Sequence, residues 1–257
     1  MSVRRYDQMK KGMIPGLTAI ALLTSGCCAC PSFLGYADVR GSGNVVTETR
    51  RVIDFDRVSL AGSGRVIITQ GDDESLTVEA DDNLMQYIKA EVEGRTLVLG
   101  FTDTPRFGTF RPSRTTEFNV TLKALSGLTV FGSGDIETGR LQTKDLEIKI
   151  SGSGDIEIES LKAEQLEVLL SGSGNVDLMG NVAEQSVQIT GSGKYRAGDL
   201  ESQRAEVQAL GSGGAVVWAT DTLDVRITGS GDVEYYGHPR VTQHVTGSGD
   251  VRDRGGR

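Results

Sequence analysis

Acidic residues at a fixed spacing are the first side chains in this sequence that could carry chemistry. Two columns recur every 20 residues: Asp135, Asp155 and Asn175, then Glu137, Glu157 and Asp177. Paired carboxylates act as acid and base in glycoside hydrolysis, and clustered carboxylates bind calcium. In a repetitive chain, however, an active site is a local exception, whereas these acids are the rule, and like charges on adjacent repeats repel. The pattern therefore favours a solvated or ligand-binding face containing Asp135, Asp155 and Asp177.

The other nucleophiles and bases form no catalytic constellation. Nine serines lie between two glycines, but none fits the Gly-x-Ser-x-Gly pattern, and the chain offers only His238 and His244 as imidazole bases. No Gly-x-Gly-x-x-Gly segment indicates a dinucleotide site. Cys27, Cys28 and Cys30 lie together without a nearby histidine or a second cysteine pair, which disfavours a metal site. We predict no catalytic residue, no cofactor and no metal.

A basic, aromatic loop interrupts the otherwise acidic chain. It contains Arg106, Arg111 and Arg114 together with Phe107 and Phe110. Arginines beside aromatic rings could bind a carboxylated glycan or a partner protein, so the three arginines are included in the candidate ligand face. The alternative is a long connection whose phenylalanines pack beneath neighbouring strands while its arginines stay solvated. We favour this alternative.

Gly-Ser-Gly occurs nine times and organises most of the sequence. From Gly132 onward the copies begin 20, 20, 19, 20, 18 and 18 residues apart, a period typical of repeats that stack on their neighbours. We predict tight corners in which the second glycine, such as Gly174, has positive φ and the serine hydroxyl bonds to its own backbone. The residues predicted to form structural turns include Gly132, Ser133, Gly134, Gly152, Ser153, Gly154, Gly172, Ser173, Gly174, Gly229, Ser230 and Gly231.

Apolar residues flank each corner at alternate positions. Around Gly152, for example, Ile150 stands two residues before the corner and Ile156 two residues after its last glycine. A period of two, mostly in β-branched residues, predicts a half-buried strand on each side of the corner. Each unit is therefore predicted to be strand, corner, strand and loop.

Stacking of these units predicts an all-β fold, a parallel β-helix. Coils about 4.8 Å apart place corresponding side chains in columns. An antiparallel meander of hairpins is the alternative, but it gives no reason for the repeated columns. Residues 65–125 lack the period yet keep strand-like stretches such as 76–80 and 117–123, so they are predicted to cap the N-terminal end of the stack. Asp81 or Asn83 could cap one helical turn there.

The N-terminal 26 residues have the composition of an export signal. Arg4, Arg5, Lys10 and Lys11 precede an apolar run that is too short for a membrane span. The run ends in Ser-Gly before Cys27, which resembles a bacterial lipobox, so we predict that Cys27 is lipidated. Ordinary signal cleavage is the alternative and also exports the chain.

These features divide the chain into a signal peptide (1–26), an anchor or linker (27–40) and a single β-helix domain (41–257). The domain comprises the capping segment (65–125) and the regular repeats (126–251). Without the signal the net charge is −11, which disfavours nucleic acid as a partner.

Several motifs resemble the head GIN domain of putative autotransporter adhesins. They are the repeated Gly-Ser-Gly-Asp-Ile/Val units, as at 132–136 and 152–156, and the late Tyr-Gly-His-Pro at 236–239. The similarity extends from about Arg51 to Val251. The resemblance implies a right-handed, pectin-lyase-like β-helix and a role in cell adhesion without known catalytic residues.

Two functional classes remain open at this point. The first is a non-enzymatic module of the cell envelope or surface that adheres to a glycan or protein through an extended face; the second is a polysaccharide-active lyase or hydrolase. A structural envelope scaffold that associates with copies of itself is not separated from the first class. We expect an exported protein, an outer-membrane lipoprotein or surface protein, whose membrane contact is its lipid anchor.

Replacing Cys27 tests the anchor. Cys27→Ala is expected to shift the protein, expressed in a bacterium, from the detergent phase to the aqueous phase, because each buried acyl methylene contributes about 0.8 kcal/mol. Cys30→Ala is the matched control and should partition like the wild type. Identical partition of the wild type and Cys27→Ala would contradict the prediction.

Overall fold

Alternating apolar residues form strands that stack as a parallel β-solenoid of about six turns. The structure, a computed structural model, describes residues 38–102 and 109–257. The regular coils are built from β10 (Gly127–Gly132), β11 (Asp135–Gln142), β12 (Asp145–Gly152), β13 (Ile156–Gly172), β14 (Asn175–Gly191), β15 (Lys194–Gly211), β16 (Gly214–Gly229), β17 (Val233–Tyr236), β18 (Arg240–Gly247) and β19 (Val251–Asp253).

The strands that precede the regular coils include antiparallel pairs. They are β1 (Val39–Arg40), β2 (Val45–Arg50), β3 (Arg57–Gly62), β4 (Arg65–Gln70), β5 (Ser75–Asp81), β6 (Ile88–Glu93), β7 (Thr96–Phe101), β8 (Phe110–Arg111) and β9 (Glu117–Leu122), with a 3-10 helix at Met85–Tyr87. β2 runs antiparallel to β5, β5 to β9, and β6 to β7. β3 and β4 pair in parallel with β10 and β11 and so join this segment to the coils.

Every strand pair among β10 to β19 is parallel, which confirms the predicted β-helix and excludes the meander. The corners stack in register, since Gly132 pairs with Gly62 and with Gly152, and Gly172 pairs with Gly152 and with Gly191. From β13 to β16 one strand continues around the second corner of each coil, where the register shifts.

The core consists of inward side chains in columns along the solenoid. The column two residues before the corners is at most 1% exposed in every regular coil from β10 to β16: Val130, Ile150, Leu170, Ile189, Ala209 and Ile227. Burial of one such aliphatic side chain contributes about 1.5–3 kcal/mol, and no disulfide is needed to hold the stack.

The corner is held by backbone hydrogen bonds between coils. The carbonyl of Gly152 accepts the N–H groups of Ser173 at 2.8 Å and Gly174 at 3.3 Å. The same double acceptance occurs at Gly132, Gly172, Gly191, Gly211 and Gly229. The stacked serines are exposed, and among the nine copies only Ser42 uses its hydroxyl as predicted, accepting the backbone N–H of Asn44 at 3.1 Å.

From Gly132 onward positive φ occurs at the first glycine of each corner, so the prediction for Gly174 is wrong, although the second glycines Gly43 and Gly64 do have positive φ. Gly172 has φ +129°, and Gly174 lies outside that region. Glycine is nevertheless required at both positions because the coils approach closely. A Cβ on Gly172 would lie 2.2 Å from the carbonyl oxygen of Gly152, and one on Gly174 would lie 2.1 Å from that of Gly154.

A buried polar chain interrupts the apolar core. The Tyr195 hydroxyl donates to Gln185 Oε1 at 2.8 Å, Gln185 Nε2 donates to Ser202 Oγ at 2.8 Å, and that hydroxyl donates to the Trp218 carbonyl at 2.7 Å. Burial raises the pKa of the fully buried Tyr195 phenol. Three other inward residues of the same coil are small, which offsets the volume of the ring: Ala197, Ala205 and Ala209.

The 3-10 helix begins without the predicted side-chain cap. Its N-cap residue is Leu84, which makes no capping hydrogen bond. Asn83 instead accepts the Ser42 N–H at 2.9 Å and donates to the Arg40 carbonyl at 2.8 Å. The first Gly-Ser-Gly, residues 41–43, therefore packs on the N-terminal segment and is not part of the coil register.

Substitutions at the corners distinguish the contribution of close backbone contact to stability from that of the serine hydroxyl. Gly172→Ala is expected to destabilise the protein by at least about 3 kcal/mol, because the new Cβ meets the Gly152 carbonyl in a backbone conformation that disfavours side chains. Ser173→Ala should stay within about 0.5 kcal/mol. Gly62→Ala, where a Cβ meets nothing within 4 Å, isolates the conformational penalty of about 1–2 kcal/mol. Urea unfolding curves in which all three variants coincide would contradict this account.

Candidate ligand-binding face

The acidic residues that follow the corners act as acceptors for the backbone of the next coil. Asp135 Oδ1 accepts the N–H of Asp155 at 3.1 Å, and Asp155 Oδ1 accepts the N–H of Asn175 at 2.7 Å. Asp232 repeats the contact by accepting the N–H of Asp250 at 3.0 Å. This column is therefore part of the hydrogen bonding that holds the corners together, whatever else its carboxylates contact.

The second acidic column forms ion pairs along the strands that follow the corners. Arg196 Nη1 donates to both carboxylate oxygens of Asp177, at 3.1 and 2.9 Å. Arg65 Nε lies 3.2 Å from Glu137 Oε1. Asp177 thus follows a corner, like the first column, but its carboxylate is paired with an arginine instead of accepting a backbone N–H group.

The described part of the arginine-rich loop forms hydrogen bonds and an ion pair with Asp38, near the start of the described chain. Arg111 Nε lies 2.7 Å from Asp38 Oδ2, and hydrogen bonds from Thr109 and then Arg111 hold the pKa of Asp38 below its usual value. Arg114 is exposed. Arg106 lies outside the described residues.

Phe110 packs on aromatic neighbours as the connecting-loop alternative predicts. Its ring centroid is 4.9 Å from that of Phe101 and 5.2 Å from that of Tyr87. Phe107 lies outside the described residues. The aromatic residue of this loop that the structure describes is thus committed to packing.

Asp81 is a buried carboxylate that ties two loops together. Ser113 donates to it through both its N–H at 2.8 Å and its hydroxyl at 2.5 Å, and the Gly43 N–H donates at 2.8 Å. Burial acts to raise the pKa of Asp81, but these hydrogen bonds outweigh it and hold the pKa below its usual value.

A groove of about 1140 Å³ runs across the strand segments that precede the corners, whereas the two acidic columns lie at the start of the strand segments that follow them. Between its walls lie five residues in register over five coils, whose side chains are buried in the core and only 1–5% exposed: Leu146, Leu166, Gln185, Ala205 and Leu223. One wall is Asp145, Gln165, Glu184, Arg204, Thr222 and Arg240, and the other is Glu147, Glu167, Ser186, Glu206, Asp224 and Thr242. Six residues per wall at about 4.8 Å spacing extend roughly 24 Å.

The groove is acidic with arginines interspersed. Its lining contains six carboxylates and three guanidinium groups. Several acids are paired, including Glu147 with Arg57 at 2.9 Å and Glu206 with Arg226 at 3.1 Å. Hydrogen bonds from Lys149 and then Arg57 hold the pKa of Glu147 below its usual value, against the opposing effect of partial burial.

Two exposed acids in the groove are available to a ligand. Within the described ranges, neither Asp145 nor Glu167 has an ion-pair partner within 4.0 Å. Both stand on strands that precede corners, one on each wall. An extended ligand with donor groups could therefore hydrogen-bond to these carboxylates.

Sequence reasoning missed this groove. The signal that could have found it is the position five residues before each corner, where Glu147, Glu167, Glu206 and Asp224 recur. The acidic residues after the corners, by contrast, lie at the start of the strand segments that follow the corners and not on those that line the groove. A groove also depends on the curvature of the coil, which the period does not encode.

The histidines and acids of the described residues are the remaining candidates for a metal site. No group of three or more His, Cys, Asp or Glu among them is placed to hold a metal ion. His238 and His244 are exposed, and neither lines the groove.

A family match decides the identity of this domain. The family described as "Putative auto-transporter adhesin, head GIN domain" matches residues 54–239, more than half of the chain. The chain belongs to this family. The resemblance in the sequence is thereby confirmed, and the family description points to a surface or extracellular protein.

Solved structures share the fold of this head GIN domain. A putative adhesin from Bacteroides fragilis is 25% identical with a TM-score of 0.78, and a putative lipid binding protein from Parabacteroides distasonis is 27% identical with a TM-score of 0.70. Each alignment covers 84% of this chain and 99% of the other. No curated protein matches the chain.

In residues 38–102 and 109–257, no helix has the length and apolar character to cross a membrane. Cys27 lies outside the described residues.

Acid unfolding tests the role of Asp81 in the N-terminal segment. Its folded pKa is below the usual value of 3.8, so its stabilisation is complete above that value and is lost as the pH falls through the lower folded pKa. Asp81→Asn should therefore be less stable at neutral pH, by about 1–3 kcal/mol, and lose less stability than the wild type below about pH 4. Asp72→Asn, at an exposed position, is the control. In urea melts at neutral pH and below about pH 4 its free energy of unfolding should equal that of the wild type.

Proposed function

We propose that this protein is a non-enzymatic binding module of the cell envelope or surface, which adheres to a glycan or protein ligand through the groove. The observation that carries the proposal is a continuous groove over successive coils between two polar walls. A site of this shape suits an extended chain that lies along the solenoid axis, because equivalent contacts recur in each coil.

The charge of the groove narrows the ligand class. Six carboxylates against three guanidinium groups disfavour a polyanionic chain and favour a neutral or amino-bearing glycan, or a basic peptide segment. The predicted carboxylated-glycan site in the arginine-rich loop is less well supported, since Arg111 is paired with Asp38.

Repetition of the wall residues also supports binding over catalysis. General acid–base chemistry needs groups with distinct environments, whereas the acids of the groove sit in near-equivalent positions on successive coils. A polysaccharide-active enzyme is the alternative, and a measurement of polysaccharide cleavage distinguishes it from a binding module.

The membrane-attached location is part of the same proposal. Lipidation of Cys27 would place the domain at the envelope, with residues 27–40 as the linker between the lipid anchor and the β-helix. An outer-membrane lipoprotein that displays a rigid solenoid would present the groove to extended ligands.

Binding measurements on charge variants test the groove. Purified protein is applied to an array of glycans and matrix proteins, and the affinity for any ligand found is measured. Asp145→Asn alone should change the affinity by less than about threefold, because each equivalent site contributes weakly, whereas Asp145→Lys with Glu167→Lys should lower it at least about tenfold. Asp72→Lys with Asp73→Lys makes the same charge change on an exposed loop outside the groove and should leave the affinity unchanged. Equal effects of the two double variants would contradict the groove as the site.

Turnover separates adhesion from catalysis. New sugar ends are monitored during the same incubations, and none is expected to accumulate. Cleavage of a polysaccharide that a single groove carboxylate substitution abolishes would establish the enzyme instead, since an active site loses nearly all activity when one essential group is removed.

A further inference from the structure

The core of the solenoid is left open at its C-terminal end. β18 pairs through one edge with β16, and within the part of the chain that the structure describes no strand pairs with its other edge. All eight residues of β18 are exposed. Its inward residues, Val241, Gln243 and Val245, continue columns that are buried one coil earlier, at Leu223, Val225 and Ile227.

This edge lacks the features that normally protect an exposed strand. β18 contains no lysine, proline or acidic residue, and its only permanent charge is Arg240 at the first position. Val241 and Val245 are 37% and 39% exposed. An edge of this kind is a template for pairing with another strand.

The N-terminal end of the solenoid differs in this respect. There the outer strands are antiparallel to their neighbours, and β6 carries alternating charges. Lys89 Nζ lies 2.6 Å from Glu93 Oε1 and 3.9 Å from Glu91 Oε2. A head-to-tail contact would have to place this charged strand on the uncharged centre of β18, and it would generate an open filament.

We propose that two copies of this chain associate tail to tail, with their β18 strands paired antiparallel about a two-fold axis at Gln243. A two-fold contact of this type closes, so the assembly is a dimer. Backbone hydrogen bonds between the two edges would satisfy the groups that β18 leaves unpaired.

The side chains of β18 select this register. With Gln243 opposite itself, Val241 faces Val245 of the second copy on the core side, and the two Gln243 amides can donate to each other. On the outer side Thr242 faces His244 of the second copy, and Arg240 faces Thr246. No like charges are opposed.

Other registers are less favourable. A shift of the pairing by one residue would oppose core-side to outward side chains, because opposed residues in an antiparallel pair share a face. The next register that keeps the faces matched places His244 opposite His244 and a valine opposite Gln243. The self-complementary register is therefore specific to the pattern Val-x-Gln-x-Val.

Cysteine cross-linking of the full-length chain tests the axis. Cys27, Cys28 and Cys30 are first replaced by serine, and Gln243→Cys is then oxidised and examined on a non-reducing gel. A disulfide-linked dimer is expected, since opposed Cβ atoms lie about 4.5–5.5 Å apart, close to disulfide geometry. Val245→Cys is the matched control and should stay monomeric, because its two copies are four residues out of register, about 13 Å. An equal mixture of Val241→Cys and Val245→Cys should cross-link.

Sedimentation of the uncross-linked chain completes the test. The serine-substituted parent should sediment as a dimer, and Val241→Lys with Val245→Lys as a monomer with an unchanged circular dichroism spectrum. A monomeric parent together with no cross-link at Gln243→Cys would overturn the proposal. Stronger cross-linking of Val245→Cys than of Gln243→Cys, or a ladder of larger oligomers, would overturn the tail-to-tail register. These results are independent of whether the groove binds a ligand.

Discussion

The close approach of glycine backbones at the corners is the constraint on which the rest of the structure depends. The carbonyl of one coil occupies the space that a Cβ of the next would need, at 2.2 Å for Gly172. That carbonyl accepts two N–H groups from the following coil, so the corner fixes the register of the strands on both sides of it. Once the register is fixed, alternation of residues turns each position of the unit into a column, apolar inside and polar outside.

Because equivalent residues form columns along the solenoid, a residue that departs from the type of its column is informative. Inside the solenoid, Tyr195 places a polar hydroxyl in an apolar column, but the hydroxyl is hydrogen-bonded to Gln185, which in turn bonds to Ser202. The volume of its ring is offset by small alanine side chains in the same coil. Outside, half of the twelve residues in the groove walls are acidic, and Arg204 among them pairs with Glu184 on the adjacent coil. A surface assembled in this way offers many similar contacts, which suits adhesion along a chain better than chemistry at one bond.

The sequence pattern predicted the fold well because every repeat carries the same alternating apolar residues and the same Gly-Ser-Gly corner. The 18–20-residue period of Gly-Ser-Gly predicted parallel stacking. The alternation of apolar residues predicted the inward columns and also the strands of the N-terminal segment. What failed depends on contacts between units. Whether Gly172 or Gly174 takes positive φ is decided by how coils meet, and the Asp81 and Asn83 side chains bind loops distant in sequence rather than a helix end. The role of Asp135 and Asp155 as backbone acceptors and the position of the groove likewise require the stacked geometry.

A parallel solenoid must also solve the problem of its two ends, because stacking leaves an unpaired edge at each. Here the N-terminal end is covered by antiparallel strands that leave the stack's register, and their charges oppose further pairing. The C-terminal end keeps the register through β18 and exposes its core columns. Tail-to-tail pairing would bury that end by the same hydrogen bonds that hold the coils. A two-fold axis normal to these strands keeps both grooves on one side, so a dimer would present two adhesive faces to one extended ligand and gain avidity without any new contact.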